Sequence, residues 1–425
     1  MRLITDMQGV MLRQLQAFIH HYQNSLIEYL SHANSRMELE CLCQMLATTI
    51  KRHGHIYIFG NGGSYAISRQ FESTLLESLY DRNYPLRLRW GVDFHASQAI
   101  ARRCGYDQIF TQLLRQEHAG ENDMVLMVSG SGNSKNLLLA ANYCKKMSIP
   151  CVGIAAFHGG QLCEPGVVDL PIIVDIDDQQ MGEDAVQSML QIVACNTATL
   201  LSGARSELDL IYDDYVQSLL SGFKHINPDI LNAISAALCE AYLSNRRVYV
   251  LAPEGGGVSL SAEHVSHNLN WDAVYELRLP PRRNLTSTPS GCDFSGIGND
   301  RFLSGIVSCQ QLSVSSEADV LIVFAVDAND AAVQETIAVA KKRNMQTFIF
   351  AGCGSHTSVN SLIFQQTHRS RVADLCQVSG HLLGRIVRLK LKMHEDGILP
   401  DTDLLSFLVD DDLAQRRLLH VVDGI

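Results

Sequence analysis

The chain has 425 residues, of which 46% are hydrophobic and 19% charged, and a formal net charge of −11. The length exceeds what one hydrophobic core organises, so two domains are the default, and the composition excludes a disordered chain. The acidic balance and the lack of any Lys/Arg run exclude a nucleic-acid surface, and no apolar stretch approaches the ~18–20 residues of a membrane span. The amino terminus, MRLITDMQGVMLRQLQAF, mixes polar and charged residues into its apolar positions and is not a signal peptide. Twelve cysteines form no CxxC pair, which disfavours a zinc ribbon or a disulfide scaffold and fits reduced thiols in a cytoplasmic protein.

The segment up to about Ala33 reads as a helix outside any sheet. From there strand-like and helix-like segments alternate: HIYIF (55–59), LRLRW (86–90), MVLMV (124–128), CVGIA (151–155) and LPIIVDI (170–176), separated by helix-length intervals. Apolar runs at that spacing predict a doubly wound parallel sheet covered by helices on both faces. The pattern then returns. RRVYVLAPEGGG (246–257) echoes HIYIFGNGGS, YELRLP (275–280) echoes LRLRW, ADVLIVFA (318–325) echoes NDMVLMVS, and KKRNMQTFIFAG (341–352) echoes KKMSIPCVGIAA. The offset moves only from 192 (Tyr57 to Tyr249) to 196 (Lys145 to Lys341), as a duplication would leave it. The expected organisation is an N-terminal helical segment (1–34), a first α/β domain (35–203), a helical linker (204–224), a second α/β domain (225–396) and a tail (397–425) without counterpart.

Two loops carry chemistry. VSGSGNSKN (128–136) follows a buried strand and opens a helix: Ser129, Ser131 and Ser134 offer hydroxyls, and Asn133 or Ser134 is placed to cap the helix. A helix amino terminus presents unpaired N–H groups and a positive dipole end, so an anion site needs no Lys or Arg here. The bland alternative is a serine-rich cap. The first strand also ends in a glycine-rich loop, Asn61-Gly62-Gly63-Ser64 after Gly60, and both loops emerge where ligands bind in such sheets. Neither loop is a GxGxxG or a GxxxxGK[ST], so a nucleotide is weakly supported.

In that order and spacing, GNGGS, IARRCGYDQIF (100–110), VSGSGNS and GIAAFHGGQL (153–162) resemble the bacterial phosphoheptose isomerases of the SIS (sugar isomerase) superfamily over roughly residues 35–200. The resemblance implies two tandem flavodoxin-like, SIS-type domains, each a five-stranded parallel sheet flanked by helices. It also implies a sugar phosphate held by Asn61, Gly62, Gly63 and Ser64 with Ser129, Ser131, Asn133 and Ser134. The family's helix His and Glu fall on Gln70 and Thr74, and Glu72 stands about 200° round the helix from Gln70. The family's later Gln and His fall on Gly182 and Leu190. Glu183 remains as candidate base, with a carboxylate at a helix amino terminus as the plain alternative.

The second domain departs differently. Its FAVDAND (324–330) has no serine: Gly256, Phe324, Val326 and Asp330 are expected where the first domain has Ser64, Ser129, Ser131 and Ser134, and an anion would meet Asp327 and Asp330. It keeps SGIGND (295–300), and His264 in AEHVSHN matches the family's helix His, with Gln377, His381 and Arg385 on the later helix. No metal or other cofactor is expected, with zinc at His264 and His267 the one alternative to a plain histidine-bearing helix. Since family active sites lie between subunits, the resemblance implies phosphate loops on one domain and His264 and Asp300 as reactive groups on the other. A homodimer would then present four SIS units. Two functions stay open, an aldose–ketose isomerase of the sedoheptulose 7-phosphate type and a non-catalytic phosphosugar-binding or scaffold protein. A sugar-phosphate-sensing DNA regulator is weaker, because no DNA-binding module is in evidence.

Overall fold

A computed structural model of the chain describes residues 2–32, 35–80, 84, 86–90, 94–270, 273, 284–286, 311–355 and 360–396; residues 2–11, 90, 94, 284–286, 395 and 396 are described by their backbone alone. Five strands, β1 (His55–Phe59), β2 (Arg87–Trp90), β3 (Met124–Ser129), β4 (Cys151–Ala155) and β5 (Leu170–Ile173), pair in parallel in the order β2-β1-β3-β4-β5. All six residues of the central β3 are buried, and its run MVLMVS is continuously apolar for that reason. At the edge, β2 alternates, with Leu88 buried between exposed Arg87 and Arg89.

Helices α2 (Arg36–Lys51), α3 (Gly63–Leu79) and α7 (Gln179–Leu201) pack together on one side of the sheet. The other side carries α4 (Phe94–Cys104), α5 (Ile109–Gln116) and α6 (Lys135–Met147). Strand residues alternate between the two layers: Tyr57, Phe59, Val125 and Met127 form a core with Phe110, Leu114, Leu137 and Ala141, and Phe59 stacks on Phe110 at 4.5 Å.

The second sheet repeats the plan. Strands β6 (Val248–Leu251), β7 (Asn284–Thr286), β8 (Val320–Asp327), β9 (Gln346–Cys353) and β10 (Asn360–Ile363) are all parallel, in the order β7-β6-β8-β9-β10. Its helices are α9 (Pro228–Leu243), α10 (Gly257–Asn270), α11 (Ala331–Lys342) and α12 (Arg369–Asp396). Ile56 pairs with Met124 and Val248 with Val320, so the registers differ by the same 192 and 196 residues as the sequences. One polar device is also duplicated. Asp123 accepts from the N–H groups of His55 (2.7 Å) and Gly120 (2.9 Å), tying the start of β1 to the turn before β3. Asp319, 196 residues on, accepts from Arg247 (3.0 Å) and Ser316 (2.7 Å) and ties β6 to β8 in the same way.

The edge expected from YELRLP is occupied by β7 instead; residues 275–280 lie outside the described residues, as do SGIGND with Asp300 and the tail from 397. By its contacts the chain groups into two units, residues 28–216 around the first sheet and residues 1–27 with 217–425 around the second. Helix α8 (Leu208–Phe223), inside the segment expected as a linker, is therefore shared out between the units, and so is α1 (Arg2–His32). Within the second unit, Gln23 Nε2 donates to Phe223 O, and the Arg385 guanidinium lies 5.3 Å over the ring of Tyr22. Among the described residues no helix is long and apolar enough to cross a membrane.

Candidate functional site

In the first unit the chain leaves β1 toward one edge of the sheet and β3 toward the other, so the crevice beyond the carboxyl ends of these neighbours is the topological switch point. Both glycine-serine loops open there. Gly62 precedes α3 with φ 53°, and a Cβ on Gly60 would lie 2.5 Å from Ser64 O, so the turn closes only without side chains. Ser64 is buried in the first turn of α3, where Ser68 Oγ donates to its carbonyl.

The β3–α6 loop is held from within. Gly132 N–H donates to Ser129 Oγ (2.9 Å) and Asn133 N–H to Ser131 Oγ (3.2 Å). Each hydroxyl thus accepts from its own loop and keeps its proton to donate. Asn133 Oδ1 accepts from Gln161 N–H (3.1 Å), and Gly132 O accepts from Leu162 N–H (2.9 Å). This contact explains the second glycine pair: a Cβ on Gly132 would lie 2.0 Å from Gly159 O, and one on Gly160 2.3 Å from Ser131 O. Ser134 takes the N-cap position of α6, but its side chain makes no cap bond and Asn133 is engaged elsewhere, so the expected capping role is corrected; Leu137 N–H is met by Asn136 Oδ1 (2.9 Å).

Asn61, expected as a ligand contact, joins the two loops together with side chains that had no part in the sequence expectation. The amides of Asn61 and Asn136 exchange hydrogen bonds at 3.0 Å in both directions, and Tyr106 OH donates to Asn61 Oδ1 (3.0 Å). Tyr106 and Asp107 belong to the IARRCGYDQIF segment, and Asp107 Oδ2 pairs with Lys135 Nζ at 2.9 Å, which raises the exposed ammonium's pKa. Asn136, two positions beyond Ser134, was legible only as the end of the SGNSKN run.

Glu183 is buried on the second turn of α7 and accepts from Gln179 Nε2 at 3.4 Å. Gln179 Cγ in turn lies 3.9 Å from where a Cβ on Gly130 would be, so this turn borders the β3–α6 loop. A Cβ on Gly182 would meet Ala156 Cβ at 2.8 Å, a steric reason why no longer side chain stands there. Gln70 and Thr74 are buried on one face of α3; Glu72, on another, pairs with Arg69. Burial pushes the Glu72 carboxyl up to about 7, against the pull of Arg69.

The second unit has the same frame and different occupants. The caps fix its register: Asp330 precedes α11 as Ser134 precedes α6, so Ala325 and Asp327, not Phe324 and Val326, stand for Ser129 and Ser131. Helices α3 and α10 start at Gly63 and Gly257, which places Val258, not Gly256, opposite Ser64 and His264 opposite Gln70. Asp330 Oδ1 is spent on the N–H groups of Ala332 (2.8 Å) and Val333 (3.4 Å), and Asp327 Oδ1 on Asn329 N–H (2.8 Å). The carboxylate that meets the start of this loop is Glu254, whose two oxygens accept from Val326 N–H and Asp327 N–H. His264 is buried, shares a 2.9 Å hydrogen bond with Gln377 Oε1, and meets the ring of His381 edge-on at 5.1 Å; His267 is exposed.

The SIS domain model matches residues 21–156. The phosphoheptose isomerase of Campylobacter concisus is 34% identical over 148 residues, 35% of this chain and 77% of that protein. The chain belongs to the SIS family. A Helicobacter pylori phosphoheptose isomerase is 32% identical over 151 residues, 35% of this chain and 77% of its own. Over nearly the whole chain the fold is that of the tagatose-6-phosphate ketose/aldose isomerase of Escherichia coli (TM-score 0.56, 11% identity, 92% of this chain and 95% of that one). It is also that of the C-terminal domain of glucosamine-fructose-6-phosphate aminotransferase from Francisella tularensis (TM-score 0.56, 12% identity, 89% and 95%). This SIS protein is phosphosugar isomerase-like.

Proposed function

We propose that the first unit binds one sugar phosphate per chain and that the protein interconverts its aldose and ketose forms, with sedoheptulose 7-phosphate the first substrate to test. The observation that carries this reading is the pair of loops at the switch point, tied by Asn61 and Asn136, with the hydroxyls of Ser129 and Ser131 held by their own backbone. A phosphate monoester carries close to two negative charges and gains from oriented N–H and O–H donors at a helix amino terminus. Isomerisation moves a proton between adjacent carbons through an enediol, and Glu183 is the carboxylate beside the loop that would take it.

A second reading, a phosphosugar-binding SIS protein without turnover, is favoured by one observation: buried amide and hydroxyl side chains, Gln70 and Thr74, stand on the α3 face where the resemblance expects His and Glu. Calorimetry of the intact chain against C5–C7 sugar phosphates, with an aldose–ketose conversion assay, separates the two. The expected stoichiometry is near one, with no heat from Ser131→Asp; two equivalent sites, or binding that survives Ser131→Asp, would overturn the assignment. Conversion that Glu183→Gln abolishes while binding persists supports the isomerase; absent conversion across the panel leaves the binding protein. A homodimer belongs to the same proposal, and a monomeric mass by light scattering would remove it.

A further inference from the structure

We infer that Glu254 is a built-in anion: the second unit fills its own β8–α11 loop with this carboxylate, in the place where the first unit keeps its loop for a ligand. Position is the first support. Val326 and Asp327 are the counterparts of Gly130 and Ser131, in the register set by the N-caps at Ser134 and Asp330. Their N–H groups are donors of a loop that opens a helix, and both end on one carboxylate. In the first unit no carboxylate of the described residues accepts from Gly130 or Ser131.

The second support is the loop that delivers Glu254. Three residues separate β1 from α3, whereas five, Ala252 to Gly256, separate β6 from α10. The longer loop spans 72 and 73 residues of sequence to reach the Val326 and Asp327 amides. In the first unit the corresponding loop reaches across with a neutral side chain, Asn61, which bonds Asn136 and leaves the backbone donors alone. A carboxylate taking two N–H groups satisfies with one residue what a phosphate's oxygens would otherwise satisfy. The remaining acids complete the closure, since Asp330 caps α11 and Asp327 turns back on Asn329. Any anion entering here has to displace Glu254 first. This holds whatever the first unit binds.

The test is chemical rescue in the full-length protein, with acetate as the probe and chloride at equal ionic strength as control. Glu254→Ala should lower the melting temperature of the second unit by roughly 5–10 °C, because two charge-assisted hydrogen bonds are lost at a half-buried site. Acetate should recover a large part of that fall in the variant and change the wild type no more than chloride does. If the alanine protein does not fold, Glu254→Gln is read by hydrogen exchange alone, which should accelerate at least tenfold over residues 324–330 because the amide offers one neutral acceptor where the carboxylate offered two charged ones. A variant as stable as wild type, exchange that does not change, or equal responses to acetate and chloride would each overturn the inference.

Discussion

Replacing Gly132 by alanine tests whether the β3–α6 loop is shaped by its contact with the loop after β4. Two costs act together. Gly132 has φ +69°, a region that costs a residue with a Cβ about 1–2 kcal/mol. Its Cβ would also sit 2.0 Å from the Gly159 carbonyl oxygen, 1.0 Å inside the 3.0 Å that real Cβ atoms respect, and its nearest neighbours are backbone atoms of Gly159 and Gly160, which no rotamer change can move aside. Overpacking of this kind costs about 1–3 kcal/mol, so the first unit should lose about 2–5 kcal/mol, or roughly 5–15 °C in its melting transition. Gly203→Ala is the control: its φ is +83° and nothing lies within 4 Å, so strain acts there without the clash and the loss should stay near 1–2 kcal/mol. Differential scanning calorimetry reads both. Moving the loop also displaces Ser131 and Asn133, whose bonds to the loop backbone and to Gln161 run through this contact, so sugar-phosphate affinity should fall at least tenfold in Gly132→Ala and stay unchanged in Gly203→Ala. Equal melting shifts for the two variants would refute the steric argument.

Three further outcomes follow from single residues. The Glu72 carboxyl is raised from an ordinary 4.5 to about 7, so its contribution to stability is full below about pH 4.5 and is lost as pH rises through 7; Glu72→Gln should flatten that fall, gaining on the order of 2–3 kcal/mol at pH 8, the pull of Arg69 being already contained in the shift, as urea melts at pH 5 and pH 8 would report. Asp330→Ala should cost about 1 kcal/mol because the side chain caps α11, whereas Ser134→Ala should be nearly neutral in stability, its hydroxyl making no cap bond, and should weaken ligand binding instead; thermal melts and calorimetry distinguish them. Asp123→Ala and Asp319→Ala should each destabilise their own unit by about 2–4 kcal/mol, since each removes the acceptor of two backbone N–H groups, and unequal losses in chemical denaturation would argue against a shared role.

How much of this was legible depends on what kind of partner a residue has. Central strands of a parallel sheet bury both faces, so β1, β3 and β4 stand out as unbroken apolar runs, and their residues were bounded closely from the sequence. Edge strands bury one face and are short: β2 is marked by one buried leucine between arginines, and its counterpart β7, three residues long, carries no such run. The glycine spacing of the two loops was legible because close backbone approach forces glycine at Gly60, Gly132 and Gly160 whatever the neighbours are. Glu254 was not, because its partners are main-chain N–H groups 72 and 73 residues away, and any sequence supplies those. The one-residue slip that set Phe324 and Val326 opposite Ser129 and Ser131 was avoidable: the echo of NDMVLMVS in ADVLIVFA and the pairing of Asp330 with Ser134 both carry an offset of 196, the register that the first turns of α11 and α6 mark. Once it is fixed, an acid replaces a hydroxyl at two of the four serine positions, Asp327 for Ser131 and Asp330 for Ser134. The two units share one frame, and at these two positions the second carries carboxylates where the first carries hydroxyls.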